Sequence, residues 1–113
     1  MHEYSIVQAL LTQCEDIATQ NEATSVSSIE IKIGAMSGVE SHLLKIAFDT
    51  FKEGTICDFA ELIIRKQPLK ISCNECGNEI ELESPLYKCT KCESLDVKVI
   101  DGEDMYLMRL EME

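Results

Sequence analysis

From Ile6 to Ala18 the apolar residues return at helical spacing: Ile6, Val7, Leu10, Leu11, Cys14, Ile17 and Ala18. The stripe predicts an amphipathic helix that dies in Gln20, Asn21 and Glu22, before a Ser/Thr-rich turn over 24–28. The period then changes. Ile29, Ile31 and Ile33 alternate with Glu30 and Lys32, the pattern of a half-buried strand, and Gly34 and Gly38 mark its end. A second helix is predicted on the stripe Leu43, Leu44, Ala47, Phe48 and Phe51, with Ser41 placed to cap it and Gly54 placed to end it. Residues 60–64 read as a second strand, closed by Arg65, Lys66 and Pro68. Residues 69–100 show little periodicity. After the turn-forming Asp101-Gly102-Glu103-Asp104 alternation returns: Tyr106, Met108, Leu110 and Met112 share one face, and Arg109, Glu111 and Glu113 the other. This last strand has no core of its own nearby, so it is expected to rejoin the sheet of the first two.

The expected fold is therefore α+β: two helices on one face of a small mixed three-stranded sheet, with an inserted four-cysteine, zinc-ribbon-like segment. A right-handed crossover would set the first two strands parallel and the last antiparallel. The domains read as 1–68 with 101–113, and 69–100, joined by two chain crossings that act as a hinge. An edge-exposed sheet of this kind also allows exchange between copies, so a homodimer is compatible with the pattern.

The chain has 113 residues, room for one modest core and no large substrate cleft. Its 21 acidic and 10 basic residues give a net charge of −11, spread over both halves. Such a chain repels phosphate backbones, which sets a nucleic-acid-binding role aside. No apolar run is long enough to span a membrane, and the opening Met1-His2-Glu3-Tyr4-Ser5 has no basic signal-type segment. A cytoplasmic protein is expected, and in a reducing compartment the six cysteines read as metal ligands or buried thiols.

Four of them make two C-x-x-C knuckles, Cys73-Asn74-Glu75-Cys76 and Cys89-Thr90-Lys91-Cys92, twelve residues apart. Two knuckles at this spacing bring four thiolates to the corners of a tetrahedron, which suits Zn²⁺. Gly77 frees the turn behind the first pair. Four cysteines leave no open coordination position, so the zinc is expected to be structural. The segment carries Glu75, Glu79, Glu81, Glu83, Glu93 and Asp96 against Lys88, Lys91 and Lys98, a balance for protein contact rather than nucleic acid. Cys14, on the helical stripe, and Cys57 read as buried thiols, and His42 as a solvated or capping residue. No nucleophile–base set and no phosphate loop occur, so no enzyme is indicated.

At the other end, histidine in second position is too bulky for removal of Met1, and a free α-amine is expected. The amine, the His2 backbone nitrogen and the His2 imidazole close fused five- and six-membered chelate rings. Three nitrogens in a plane suit Ni²⁺ or Cu²⁺ better than Zn²⁺. With the amphipathic helix behind it and the two knuckles before a final strand, this opening resembles the hydrogenase-maturation nickel metallochaperone family, HypA/HybF, along essentially the whole chain. The resemblance implies nickel binding at Met1, His2 and Glu3, structural zinc at Cys73, Cys76, Cys89 and Cys92, a nickel-handling GTPase accessory protein as partner, and delivery to the hydrogenase large subunit, with urease maturation served by some members. One departure stands out. Some relatives place a histidine near the knuckles, and this chain has none between residues 43 and 113. The fourth nickel ligand stays open: the Glu3 backbone nitrogen, its carboxylate, water or a partner's donor. The competing reading is an acidic zinc-ribbon interaction adaptor with no nickel role.

Overall fold

The computed structural model describes residues 2–113, the side chain of His2 excepted. The elements run α1 (His2–Gln20), β1 (Val26–Gly34), α2 (Ser41–Phe51), β2 (Glu61–Gln67), β3 (Leu69–Cys73), β4 (Glu79–Leu82), β5 (Val97–Asp101) and β6 (Met105–Met112). They form two three-stranded sheets, ordered β2-β1-β6 and β4-β3-β5. The chain divides into two compact units. One holds the residues up to Lys32, Val39–Arg65 and Tyr106–Glu113; the other holds Ile33–Gly38 and Lys66–Met105.

In the helix-bearing unit the predicted stripes become the core. Val7, Leu10, Leu11, Cys14 and Ala18 of α1 are buried, as are Leu44, Ala47 and Phe48 of α2. Val26, Ile29 and Ile31 of β1 and Leu62 of β2 complete it. Burying these side chains is the main favourable term for this unit, at roughly 1.5–3 kcal/mol for each large one. The helices also meet where the rings of Tyr4 and Phe51 stand edge to face, centroids 5.2 Å apart. α2 does not start as expected. Its cap is Glu40, in extended conformation, whose side chain accepts the Leu43 N–H at 2.9 Å; Ser41 is the first helical residue. The longer carboxylate reaches the orphan amide and also places a negative charge at the helix's positive end. Lys52 is the C-cap, and Gly54 follows with φ at 78°.

The mixed sheet is present, with β1 in the centre. The Val26 N–H donates to the Ile56 carbonyl ahead of β2, and the Ala35 N–H donates to Gln67 at the far end, so β1 and β2 run parallel. β6 runs the other way: Glu113 exchanges hydrogen bonds with Ser25, and Gly34 donates to Asp104. The final strand thus rejoins the sheet, but without the predicted single apolar face: Met105, Leu107, Leu110 and Met112 are half-buried, and Tyr106 and Met108 are exposed with Arg109 and Glu111. Tyr106 and Met108 are 46% and 53% exposed.

The second unit has a sheet that the sequence pattern hid. β3 pairs antiparallel with β4, Ile71 opposite Ile80, and with β5, Ile71 opposite Val99. Leu69, Ile71 and Cys73 are buried on one side of β3, and Lys70 and Ser72 alternate with them. At its entry two glycines are packed backbone to backbone. Gly102 has φ at 98°, and a Cβ there would lie 2.6 Å from the Leu69 Cα and from the Pro68 carbonyl oxygen. A Cβ on Gly34 would lie 2.4 Å from the Gly102 carbonyl group. Only glycine fits either position.

Candidate metal centre

β3 ends in Cys73, and the chain turns at once through the first knuckle into β4. The second knuckle lies between β4 and β5. The two are built alike. In the first, the Cys73 N–H donates to Asn78, and the Gly77 N–H returns to the Cys73 carbonyl at 2.9 Å. In the second, the Cys89 N–H donates to Ser94, and the Glu93 N–H returns to the Cys89 carbonyl at 2.9 Å. Each turn needs a residue with positive φ after its second cysteine. The first uses Gly77 at 75°; the second uses Glu93 at 64°, at a cost of about 1–2 kcal/mol for a side chain in that region.

This shape gathers the four sulfurs. All four Sγ atoms lie within 4.8 Å of one another, with Cys73–Cys92 at 3.5 Å and Cys76–Cys89 at 3.7 Å. Tetrahedral zinc with Zn–S bonds near 2.3 Å requires sulfurs about 3.8 Å apart. The donor set therefore fits a structural zinc ion. Backbone amides already point at the inner sulfur of each knuckle: Cys76 N–H to Cys73 Sγ at 3.5 Å, and Cys92 N–H to Cys89 Sγ at 3.4 Å. These amides favour the thiolate. The Cys92 and Lys91 amides, with the neighbouring thiols, outweigh burial and bring the Cys89 thiol down to about 6. Cys73 is lowered in the same way, first by the Cys76 amide. The outer thiols go the other way. The Ser94 amide pulls Cys92 down, but the hydrogen bond with Cys73, burial and the other two sulfurs push it up to about 12. For Cys76 the Asn78 amide is likewise outweighed, by burial and by Cys73 and Cys89. The two inner sulfurs are therefore the pair whose thiols are lowered, and the two outer ones the pair whose thiols are raised.

The acidic residues of the segment, Glu75, Glu79, Glu81, Glu83, Glu93 and Asp96, are all exposed. Lys70–Glu79 and Lys88–Glu93 form ion pairs at its surface, each 3.8 Å.

At the other predicted site, Met1 and the His2 side chain lie outside the described residues; the His2 backbone opens α1. Glu3 is buried, and its Oε2 accepts the Glu40 N–H at 3.3 Å. Its own amide and that of Glu40, in that order, hold the carboxyl below its ordinary value of 4.5 against the opposing effect of burial. One residue, Glu40, therefore ties two helix starts together: its N–H holds Glu3, and its carboxylate caps α2. No sequence signal links positions 3 and 40. His42 is exposed.

The two lone cysteines come together. Cys14 and Cys57 are both fully buried, and their thiols share a hydrogen bond. That bond and burial raise Cys14, while donation from Cys14 lowers Cys57. Both remain thiols packed in the core, as read from the sequence, but 43 positions apart their pairing could not be seen.

The chain is similar to known proteins over its whole length. The family described as "Hydrogenase/urease nickel incorporation, metallochaperone, hypA" matches residues 1–112. The chain is 52% identical over 113 residues to the hydrogenase maturation factor HypA of Aquifex aeolicus, covering 100% of this chain and 98% of that one. It is 48% identical to the HypA of Campylobacter jejuni, covering 99% of each. Among solved structures it is similar to the solution structure of the Ni metallochaperone HypA from Helicobacter pylori, with a TM-score of 0.71 and 32% identity over 97% of this chain and 96% of that one. A second, a solution structure of a HypA protein, gives 0.77 and 33% over 100% and 97%.

Proposed function

This chain belongs to the HypA family of nickel-incorporation metallochaperones, and we propose that it takes up Ni²⁺ at Met1, His2 and Glu3 and passes it on during [NiFe]-hydrogenase maturation. The family is one of maturation factors, not enzymes, and nickel is the cargo. The observation that carries the proposed site is the start of α1 at His2. The first amides of a helix have no carbonyl one turn back to bond. The His2 nitrogen is thereby free to enter the planar chelate with the α-amine and the imidazole. The Glu3 carboxylate, held at the N-cap of α2, ties the first turn of α1 to α2. A site of this kind binds through nitrogens and releases by stepwise ligand exchange.

Structural zinc belongs at Cys73, Cys76, Cys89 and Cys92, where it would fix the two knuckles. The division of labour follows: 1–68 with 101–113 for nickel, 69–100 for zinc. Delivery runs through a nickel-handling GTPase to the hydrogenase large subunit; this chain carries no phosphate loop, so nucleotide hydrolysis comes from that partner. Urease is a second client class that the family description supports. None of the described helices is long and apolar enough to cross a membrane, and the six unpaired cysteines suit a reducing cytoplasm.

Nickel titration of untagged protein, with zinc measured in parallel, tests the reading. His2→Ala should abolish tight nickel binding and leave zinc at one per chain. A residue added before Met1 turns the amine into an amide and should weaken nickel strongly, whereas an extension after Glu113 should not. Protons compete at the amine and the imidazole, with ordinary pKa values of roughly 7.7–8.0 and 6.5, so nickel should be lost on acidification through the neutral range. Nickel binding indifferent to both changes would leave the acidic zinc-ribbon adaptor as the better reading.

A further inference from the structure

Two thiols have no part in either metal site. Cys14 lies in the middle of α1, and Cys57 lies in the turns between α2 and β2. Neither has any exposed surface, both belong to the helix-bearing unit, and their side chains share a hydrogen bond. The two are not held alike. Cys14 is fixed by the backbone of a 19-residue helix. Cys57 sits in a segment bonded mostly within itself. Thr55 donates its N–H to Lys52, Asp58 donates to Thr55, and Ala60 donates to the Cys57 carbonyl. The Thr55 hydroxyl accepts the Cys57 N–H at 3.1 Å. The Ile56 carbonyl, accepting the Val26 N–H, ties the segment to β1. Two residues beyond Cys57, Phe59 is 92% exposed. Such a turn can open locally while the helix and the sheet stay formed.

We propose that Cys14 and Cys57 are a peroxide-reactive dithiol site, which oxidation closes into a disulfide tying α1 to the turn ahead of β2. The oxidant is a hydroperoxide small enough to enter when the turn opens, hydrogen peroxide being the simplest. Cys57 is the attacking sulfur. The hydrogen bond from Cys14 lowers its thiol against burial and the charge of Glu15, whereas that bond and burial raise Cys14. The Cys57 thiolate attacks one peroxide oxygen: an S–O bond forms, the O–O bond breaks, and the departing hydroxide leaves as water with the proton Cys57 gave up. The Cys14 sulfur then attacks the sulfenic sulfur of Cys57. The S–S bond forms, the S–O bond breaks, and the hydroxyl leaves as water with the Cys14 proton. Two thiols lose two electrons and two protons, and one hydrogen peroxide becomes two waters. A partner thiol already in contact captures the sulfenic acid before further oxidation. The reducing thiol pool of a cell reverses the bridge by exchange. With zinc bound, the other four sulfurs are occupied, so this pair is the one left to react.

Zinc-loaded protein treated with hydrogen peroxide, then denatured with a chelator and alkylated, tests this. Six thiols should react before treatment and four after it. The chain should lose about 2 Da, for the two hydrogens removed. A peptide map should join Cys14 to Cys57, with zinc still at one per chain. The helical signal should melt at least about 5 °C higher, because the bridge constrains the unfolded chain. Dithiothreitol should reverse that rise. These readouts need no variant. Cys14→Ser removes the resolving thiol and should leave Cys57 as a sulfenic acid that a 1,3-dione traps, whereas Cys57→Ser should leave Cys14 unoxidised. Six reactive thiols after treatment would overturn the proposal. So would a link among the knuckle cysteines with loss of zinc, or Cys57 carried to the sulfinic acid with no bridge.

Discussion

In the helix-bearing unit the buried side chains are those of an ordinary core, from Val7 on α1 to Phe48 on α2 and Leu62 on β2. Between Lys66 and Met105 the buried apolar groups are Leu69 and Ile71, joined by the sulfurs of Cys73 and Cys89. The second unit has the same number of strands in its sheet but almost no apolar interior. Its sulfurs are where a core would be. A metal ion bound by four thiolates concentrates in one place the free energy that the first unit spreads over a dozen side chains, on the order of 10 kcal/mol or more. The two units should therefore fail independently and for different reasons.

The sharpest way to break the comparison is to remove one sulfur. Cys89→Ala should release zinc and unfold residues 69–101, while the amide signals of α1 and α2 keep their dispersion. Metal analysis and a two-dimensional amide spectrum read both halves of that statement. The converse change is Phe48→Ala, which opens a cavity in the first core and should cost about 3–5 kcal/mol there. Urea unfolding followed by helical circular dichroism should show the loss, with zinc content unchanged. Gly102→Ala acts at the entry to the second unit, where a positive φ and a backbone 2.6 Å away both oppose a side chain. About 3 kcal/mol of destabilisation is expected, read as a lower zinc-release midpoint under a competing chelator.

The smallest effect is electrostatic. Glu3 is held below its ordinary 4.5 by the amides of Glu3 and Glu40. A lowered carboxyl stabilises the fold above that value and loses its contribution as the pH falls through its depressed pKa. The stability difference between wild type and Glu3→Gln should be constant above about pH 5.5 and shrink in acid. A difference independent of pH would mean that the carboxylate charge plays no part in holding α1 to α2.

Much of this was legible in the chain. Helical period, strand alternation and the two C-x-x-C pairs placed both helices, three strands and the four sulfurs, because each is a local pattern. What escaped was short or long-range. β3 alternates over only five residues, and its third buried position is Cys73, which reads as a ligand before it reads as core. β4 and β5 offer two apolar residues each against β3, too few for a period to emerge. Ser41 is the commoner residue for a cap, and it masks Glu40, which performs the task. The Glu3–Glu40 and Cys14–Cys57 meetings depend on how α1 lies on the rest of its unit, which no local pattern encodes. The alternation predicted for β6 breaks between Met108 and Arg109, so Leu110 and Met112 are half-buried like Met105 and Leu107 rather than exposed like Tyr106 and Met108.

The order of the strands in the first sheet has a consequence for how the chain is made. β1 lies between β2 and β6, yet β6 follows the entire four-cysteine segment in sequence. Synthesis therefore completes residues 69–101, with all four sulfurs, while one side of β1 still has no neighbour. The segment that folds around its metal can do so first, and the closure that brings Glu113 to Ser25 spans nearly ninety residues. Contacts so distant in sequence form slowly. A nascent chain short of metal would thus expose an open knuckle and an open strand at the same time, and timely zinc supply shortens the interval in which the growing protein can aggregate.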